Sequence, residues 1–468
     1  MGPLDKNIGE TWACCPILYN RALEGMYCEN TGYNEVKLRK INQRQMEKHG
    51  KEGIHKYVLQ EGVLGKQNKI GTLQDVIRAY RSFYLVKGLR KYAAMNSKGD
   101  FNTPYILFKA KNVIDQQIRK KKWMKARPIA PSTKNPFNKI MGKAGRAWYF
   151  AANNNTMESF KLPKVSELPK EMERMENELG DTNPEIHTFD IEGCFPHMPK
   201  AAIKIAMHEI AARAKEKKKK GVWVPHTKRK NCSWGEPEDK TGGTYLPWDV
   251  MLTVMDFALE NAYIKMPDGR ILRQVVGIPM GDSISPGVTI GTCAWMEKEW
   301  LETISTEEKK NFRGVRYMDD ILLMVKKNPD WDAEKFLEDF KKSTCYWDPL
   351  KLEASKEGIF LETQFKKPEG KKLQYRLKND NEKERTVWRY HHYLDNGNIW
   401  TKRATLMATL RKVHKMASDD KQLFISGTAK IKEFREIGYP PGVLRYMCAI
   451  MAKEESCMTW REIRNSQI

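Results

Sequence analysis

A chain of 468 residues with 40% hydrophobic side chains has the length for two or three subdomains and is too apolar to be disordered. Its formal net charge of +23 and isoelectric point near 9.4 favour a polyanionic partner, most often nucleic acid. No stretch is long and apolar enough to span a bilayer, and the start, Met1-Gly2-Pro3-Leu4-Asp5-Lys6, reads neither as a signal peptide nor as a myristoylation site. Nine cysteines without CxxC spacing read as reduced thiols in an intracellular protein.

In chain order, residues 1–70 are mixed, with a polar helical stretch around 35–49. Residues 72–96 predict one amphipathic helix, capped by Thr72, with Val76, Tyr80, Phe83, Tyr84, Val86 and Leu89 on its apolar face. Residues 105–130 turn strand-like and very basic. The run His187-Thr188-Phe189-Asp190 reads as a short strand entering a turn, followed by a helix over 200–213. Residues 214–243 look like a basic insertion. Its Lys217–Lys220 run, Trp223, Lys228-Arg229-Lys230 and Trp234 suggest a hairpin that contacts a nucleic-acid backbone. A helix is expected over 248–265, another over 287–300 opened by Pro286, and a basic amphipathic one over 399–419. Gly438-Tyr439-Pro440-Pro441-Gly442 breaks the chain before a last helix over 443–453.

The most telling segment is Arg316-Tyr317-Met318-Asp319-Asp320-Ile321-Leu322. Two adjacent acids between apolar and β-branched arms predict a β-hairpin with the acids at its turn. Carboxylates offered from a buried hairpin need a cation, and hard oxygens suit Mg²⁺. Asp190, 129 residues upstream of Asp319, would supply a third carboxylate if the fold joins the two. Two Mg²⁺ ions about 3.5–4 Å apart are the device for in-line nucleotidyl transfer.

Four blocks in this order resemble those of reverse transcriptases, from about residue 105 onward. They are Lys125-Ala126-Arg127-Pro128 preceded by Lys109, Phe189-Asp190 with Phe195, Gln274 through Gly281 with Ser285-Pro286, and Tyr317-Met318-Asp319-Asp320. Met280, where many of these enzymes have Gln, together with Gln274 upstream, looks like Penelope-like retroelements. The resemblance implies an α+β fold of right-hand polymerase type: fingers, an antiparallel palm sheet backed by helices, and a helical thumb. It places an N-terminal extension at 1–100, fingers at 101–185, palm at 186–385 and thumb at 386–468.

The resemblance also assigns roles. Asp190, Asp319 and Asp320 would hold two Mg²⁺ ions, with Mn²⁺ as a substitute. Lys109, Lys125, Arg127, Phe195, Gln274, Met280 and Gly281 would surround the incoming dNTP, with Phe195 colliding with a 2′-hydroxyl. Lys356 would protonate the leaving pyrophosphate. Phe360 in a primer-gripping hairpin, Lys402, Arg403 and Arg411 on the thumb, and Lys228, Arg229 and Lys230 would contact an RNA template paired to a DNA or RNA primer. No ribonuclease H domain is expected after the thumb. The competing expectations are an RNA-dependent RNA polymerase and a silent RNA-binding scaffold of the same fold.

Overall fold

The computed structural model describes residues 2–4, 7–12, 16–29, 32–36, 73–107, 127–180, 184–238, 241–326, 330–342, 345–355, 358–366, 372–378 and 390–467. Lys109, Lys125, Lys356, the cap residue Thr72 and most of the stretch 35–49 lie outside them.

The chain opens with β1 (Gly2–Leu4) paired to β2 (Asn7–Trp12), then α1 (Pro16–Tyr27) and β3 (Tyr33–Val36). Next is α2 (Leu73–Val86), with Val76, Tyr80, Phe83 and Tyr84 buried as their spacing predicts. It stops before residue 96 because Gly88 takes a left-handed φ of 63°, and Val86 is exposed. β4 (Tyr105–Leu107) pairs with β5 (Arg127–Ile129). Two helices that the sequence reading did not identify follow, α3 (Asn138–Asn153) and α4 (Leu168–Leu179).

β6 (Glu185–Glu192) leads through the short α5 (Cys194–His197) into α6 (Lys200–Glu216). β7 (Gly221–Pro225), β8 (Ser233–Trp234) and β9 (Gly243–Pro247) make a small sheet of order β8-β7-β9. α7 (Trp248–Glu260) ends five residues short of expectation, because the chain turns into β10 (Tyr263–Lys265), paired with β11 (Ile271–Gln274). α8 (Ser285–Thr303) has Pro286 in its first turn, as expected. Then come α9 (Thr306–Lys309), β12 (Phe312–Tyr317), β13 (Asp320–Val325), α10 (Ala333–Lys341) and β14 (Lys351–Ala354). β15 (Ile359–Phe360), β16 (Thr363–Lys366) and β17 (Gln374–Leu377) form a separate meander.

The C-terminal part is helical: α11 (Ile399–Lys415), α12 (Asp420–Glu436), α13 (Pro441–Glu454) and α14 (Thr459–Gln467). They share one apolar core that includes Leu410, Phe434, Leu444 and Trp460. Of these helices, α12 and α14 were not foreseen.

The centre is a four-stranded antiparallel sheet of order β12-β13-β6-β14. Side chains alternate between its faces. Phe189, Ile191, Ile321, Leu323 and Val325 face the main core with α3, α6 and α8. Val315, Leu322 and Met324 face a second core built by Leu168, Met172 and Met175 of α4 and by Phe360 and Phe365. Described parts of the N-terminal segment pack on the rest of the fold. β3 pairs with β11, and Leu23 and Tyr27 of α1 pack with Ile106, Ala130 and Leu272. Among the described residues no helix is long and apolar enough to cross a membrane.

Candidate active site

The hairpin forms as its alternation predicts. Tyr317 pairs with Asp320, leaving Met318 and Asp319 as a two-residue turn, and Met318 takes φ 59°. β13 pairs with β6 in a register that sets Asp320 directly opposite Asp190. The Ile191 N–H donates to the Asp319 carbonyl at 3.0 Å, so the turn is bonded to the strand that carries Asp190. The 129-residue separation is thus closed by strand pairing.

On its other side β6 pairs with β14, and Glu353 stands opposite Asp190. Tyr317, Asp320, Asp190 and Glu353 therefore form one row across all four strands, on the face shared with Leu322 and Met324. Directly opposed residues have Cβ atoms about 4.5–5.5 Å apart. Two carboxylates at about 5 Å repel by about 1 kcal/mol in water and by about 3 kcal/mol at an effective dielectric of 20. A divalent cation beside the row would relieve that repulsion.

The acids sit differently from expectation in one respect. The hairpin arms Ile321–Val325 are buried, but Asp190 and Glu353 are exposed and Asp319 and Asp320 half-buried. They lie at the open end of the sheet, where water screens them. Like-charge opposition, rather than burial, is therefore the physical case for a cation. Among the described residues no three His, Cys, Asp or Glu side chains are grouped closely enough to hold a metal ion by themselves. The donor set is hard oxygen at a solvent-open edge, which fits Mg²⁺ with retained waters better than a dedicated all-protein cage.

Beneath the turn lies a buried ion pair. Arg316 on β12 and Glu297 on α8 are 1% and 0% exposed. Tyr346 donates to Glu297 Oε1 at 2.8 Å, and burial pushes its hydroxyl well above the usual range. The sequence carries a faint sign of this: an Arg within an apolar hairpin and a Glu within a helix otherwise buried along most of its length.

The three upstream blocks meet around one loop. Gly277, with φ 75°, lies against the carbonyls of Phe195 and Pro196, and the Ile278 N–H donates to the Phe195 carbonyl at 2.9 Å. The Met280 carbonyl accepts from Ala130 N–H at 2.8 Å. A Cβ on Gly281 would lie 3.3 Å from Ile129 Cγ2. The loop 277–281 thus joins β5, which carries the half-buried Arg127, to α5, which carries the half-buried Phe195.

Other candidates are placed elsewhere. Gln274 is 1% exposed on β11, on the same strand face as Leu272, and among the described residues neither side-chain amide atom has a partner. It is an interior amide, not a cleft-lining one. Its carbonyl accepts from Lys200 Nζ at 2.8 Å, and burial lowers that ammonium to about 8. Phe360 does lie in a hairpin, opposite Thr363 across a two-residue turn, but its ring is 1% exposed inside the second core.

Lys402 is buried. Its ammonium bonds the carbonyls of Tyr393 and Asp395 at 2.7 Å and pairs with the Asp395 carboxylate at 2.6 Å. Arg411 is exposed but forks onto Glu454. Arg403 is half-buried, with its guanidinium 5.6 Å from the centre of the exposed Trp400 ring.

In the basic segment, α6 continues to Glu216 and the small sheet then packs on the core. Trp223 is 8% exposed, and Trp234 packs on Phe150 and Trp248. These indoles are structural, contrary to the reading that interleaved them with the lysines as nucleic-acid contacts. Lys228, Arg229 and Lys230 are exposed in the β7–β8 turn. Arg146 holds that turn through the carbonyls of Pro225, Thr227 and Lys230.

No protein-family profile matches the chain. No curated protein matches it either. Among solved structures it is similar to telomerase from Candida albicans in complex with a fragment of telomeric RNA, at 12% identity and a TM-score of 0.50. That likeness covers 85% of this chain and 66% of the telomerase chain, so this chain spans just under two thirds of its length. Apo telomerase from Candida tropicalis also matches at 12% identity, covering 82% of this chain and 67% of the other, with a TM-score of 0.42. At such identity the likeness is one of fold, that of a right-hand polymerase.

Proposed function

We propose that the chain is an RNA-templated DNA polymerase that adds deoxynucleotides to a primer 3′-hydroxyl. The observation that carries this reading is the register that sets Asp320 opposite Asp190 with Asp319 in the adjoining turn. Asp190, Asp319 and Asp320 would hold two Mg²⁺ ions, with Mn²⁺ as a substitute. When bound, these would lower the pKa of the attacking hydroxyl and stabilise the pyrophosphate leaving group. Arg127 reaches triphosphate oxygens, for which a guanidinium fork is suited. Phe195, held beside Gly277, limits the space at the sugar and favours dNTPs over NTPs. Met280 in place of Gln supports a Penelope-like affinity. The fingers are assigned to 101–185, palm to 186–385 and thumb to 386–468.

The exposed basic turn at 228–230 and the thumb surface around Arg403 bind template–primer phosphates. Such contacts orient the duplex and carry little sequence information. Primer extension tests the reading. With poly(rA)/oligo(dT) and dTTP, Mg²⁺-dependent incorporation is expected, and it is abolished by Asp319→Asn. Preference for UTP on poly(rA)/oligo(U) would favour an RNA-dependent RNA polymerase. Incorporation unchanged by Asp319→Asn would place the chemistry elsewhere.

A further inference from the structure

We propose that Arg316 is a positioning residue for the acid-bearing turn, acting through the Met318 carbonyl, with Glu297 and Tyr346 as its buried anchors. This inference rests on the polymerase reading above. Arg316 Nη1 donates to the Met318 carbonyl at 2.9 Å. Its Nε bonds Glu297 Oε1, and its Nη2 reaches Glu297 Oε2 at 3.3 Å. Glu297 is in turn held by Tyr346 through Oε1 and by the Phe160 N–H through Oε2 at 3.0 Å. The carboxylate cannot swing, so the guanidinium cannot swing, and one of its arms is committed to the turn.

That turn needs holding. Met318 occupies the left-handed region, which a side chain with a Cβ disfavours. The two turn carbonyls are tethered from opposite sides: Asp319 by the Ile191 backbone, Met318 by the Arg316 side chain. Asp319 follows the residue so gripped, and its carboxylate direction depends on the peptide plane that Arg316 fixes. A buried ion pair is a poor source of stability, because desolvation offsets its attraction. What this pair contributes is geometry at the turn that carries Asp319.

The test uses the full chain and three variants. Glu297→Gln/Arg316→Gln removes both charges together and leaves no buried charge unpaired, but no guanidinium reaches Met318. Arg316→Lys keeps the charge and loses the fork. Tyr346→Phe loosens the anchor by one hydrogen bond and carries the same test, with a smaller shift, should the double variant not fold. Two readouts are taken: amide exchange over residues 317–321, and the Mg²⁺ concentration at half-maximal primer extension.

Expected for the folded double variant are exchange about tenfold faster in that turn and a Mg²⁺ midpoint raised severalfold, with template–primer affinity within about twofold of the parent. Arg316→Lys should recover part of the shift. A folded variant with the parent's turn exchange, or with the parent's Mg²⁺ midpoint, overturns the proposal. If the parent extends no primer, the polymerase reading fails on its own, and the exchange measurement still judges the tether.

Discussion

Gly277→Ala is a demanding test of the way the loop 277–281 is built. Two costs add. The backbone φ of 75° is open to glycine and costs an alanine about 1–2 kcal/mol. The new Cβ would also press on backbone: the Pro196 carbonyl and, at 2.6 Å, the Phe195 carbonyl oxygen. Neither atom is a flexible side-chain end that could step aside, and overpacking of this kind costs about 1–3 kcal/mol. The sum is about 2–5 kcal/mol, a large part of the stability of most domains.

Denaturant unfolding of parent and variant measures it. The relief available is to move α5, and with it Phe195, away from the loop. The surviving folded enzyme should therefore discriminate less well between dTTP and UTP, and single-nucleotide extension reads that ratio. A variant as stable as the parent, with unchanged discrimination, would refute the account of how Phe195 is placed.

Three further outcomes are expected. Asp282 is buried at the start of α8, and although its carboxylate accepts from the Ile284 N–H, burial outweighs that bond and raises its pKa to about 6. A folded pKa above the unfolded value gives stability that is present below about pH 4 and lost as pH rises through about 6. Asp282→Asn should thus gain about 3 kcal/mol at pH 7 and nothing at pH 4 in unfolding measured across that range.

Lys402→Ala should lower the melting midpoint by roughly 5 °C without changing the salt slope of template–primer binding, since its ammonium is internal. A changed slope at unchanged stability would restore it as a nucleic-acid contact. Replacing Lys228, Arg229 and Lys230 together by Ala should leave stability within about 0.5 kcal/mol and lower the salt slope by about one per lost phosphate contact, read by fluorescence anisotropy at several salt concentrations.

What could be read from the sequence was local. The Tyr317–Asp320 hairpin and the opening of α8 at Pro286 are fixed by neighbours within a few residues, and both are present. Phe360 shows the limit: its hairpin forms as expected, but the ring is buried against a core that includes α4, far off in sequence. Lys402 failed in the same manner, because a lysine is charged on paper whether or not carbonyls enclose it. Trp223 and Trp234 alternate with basic residues in the chain, but strand pairing turns the indoles onto the core. Glu353 had no signal of its own. Its place beside Asp190 exists only once β14 pairs with β6. Asp190 and Asp319 could be proposed together because the resemblance named both, and the register of β6 with β13 supplies the geometry.

The most direct measurement is crystallographic: crystals of the chain with template–primer, a non-hydrolysable dNTP and Mn²⁺, examined for anomalous scattering. The account predicts two peaks about 3.5–4 Å apart within ligating distance of Asp190, Asp319 and Asp320. Full nucleotide occupancy with no metal at those three carboxylates would contradict it.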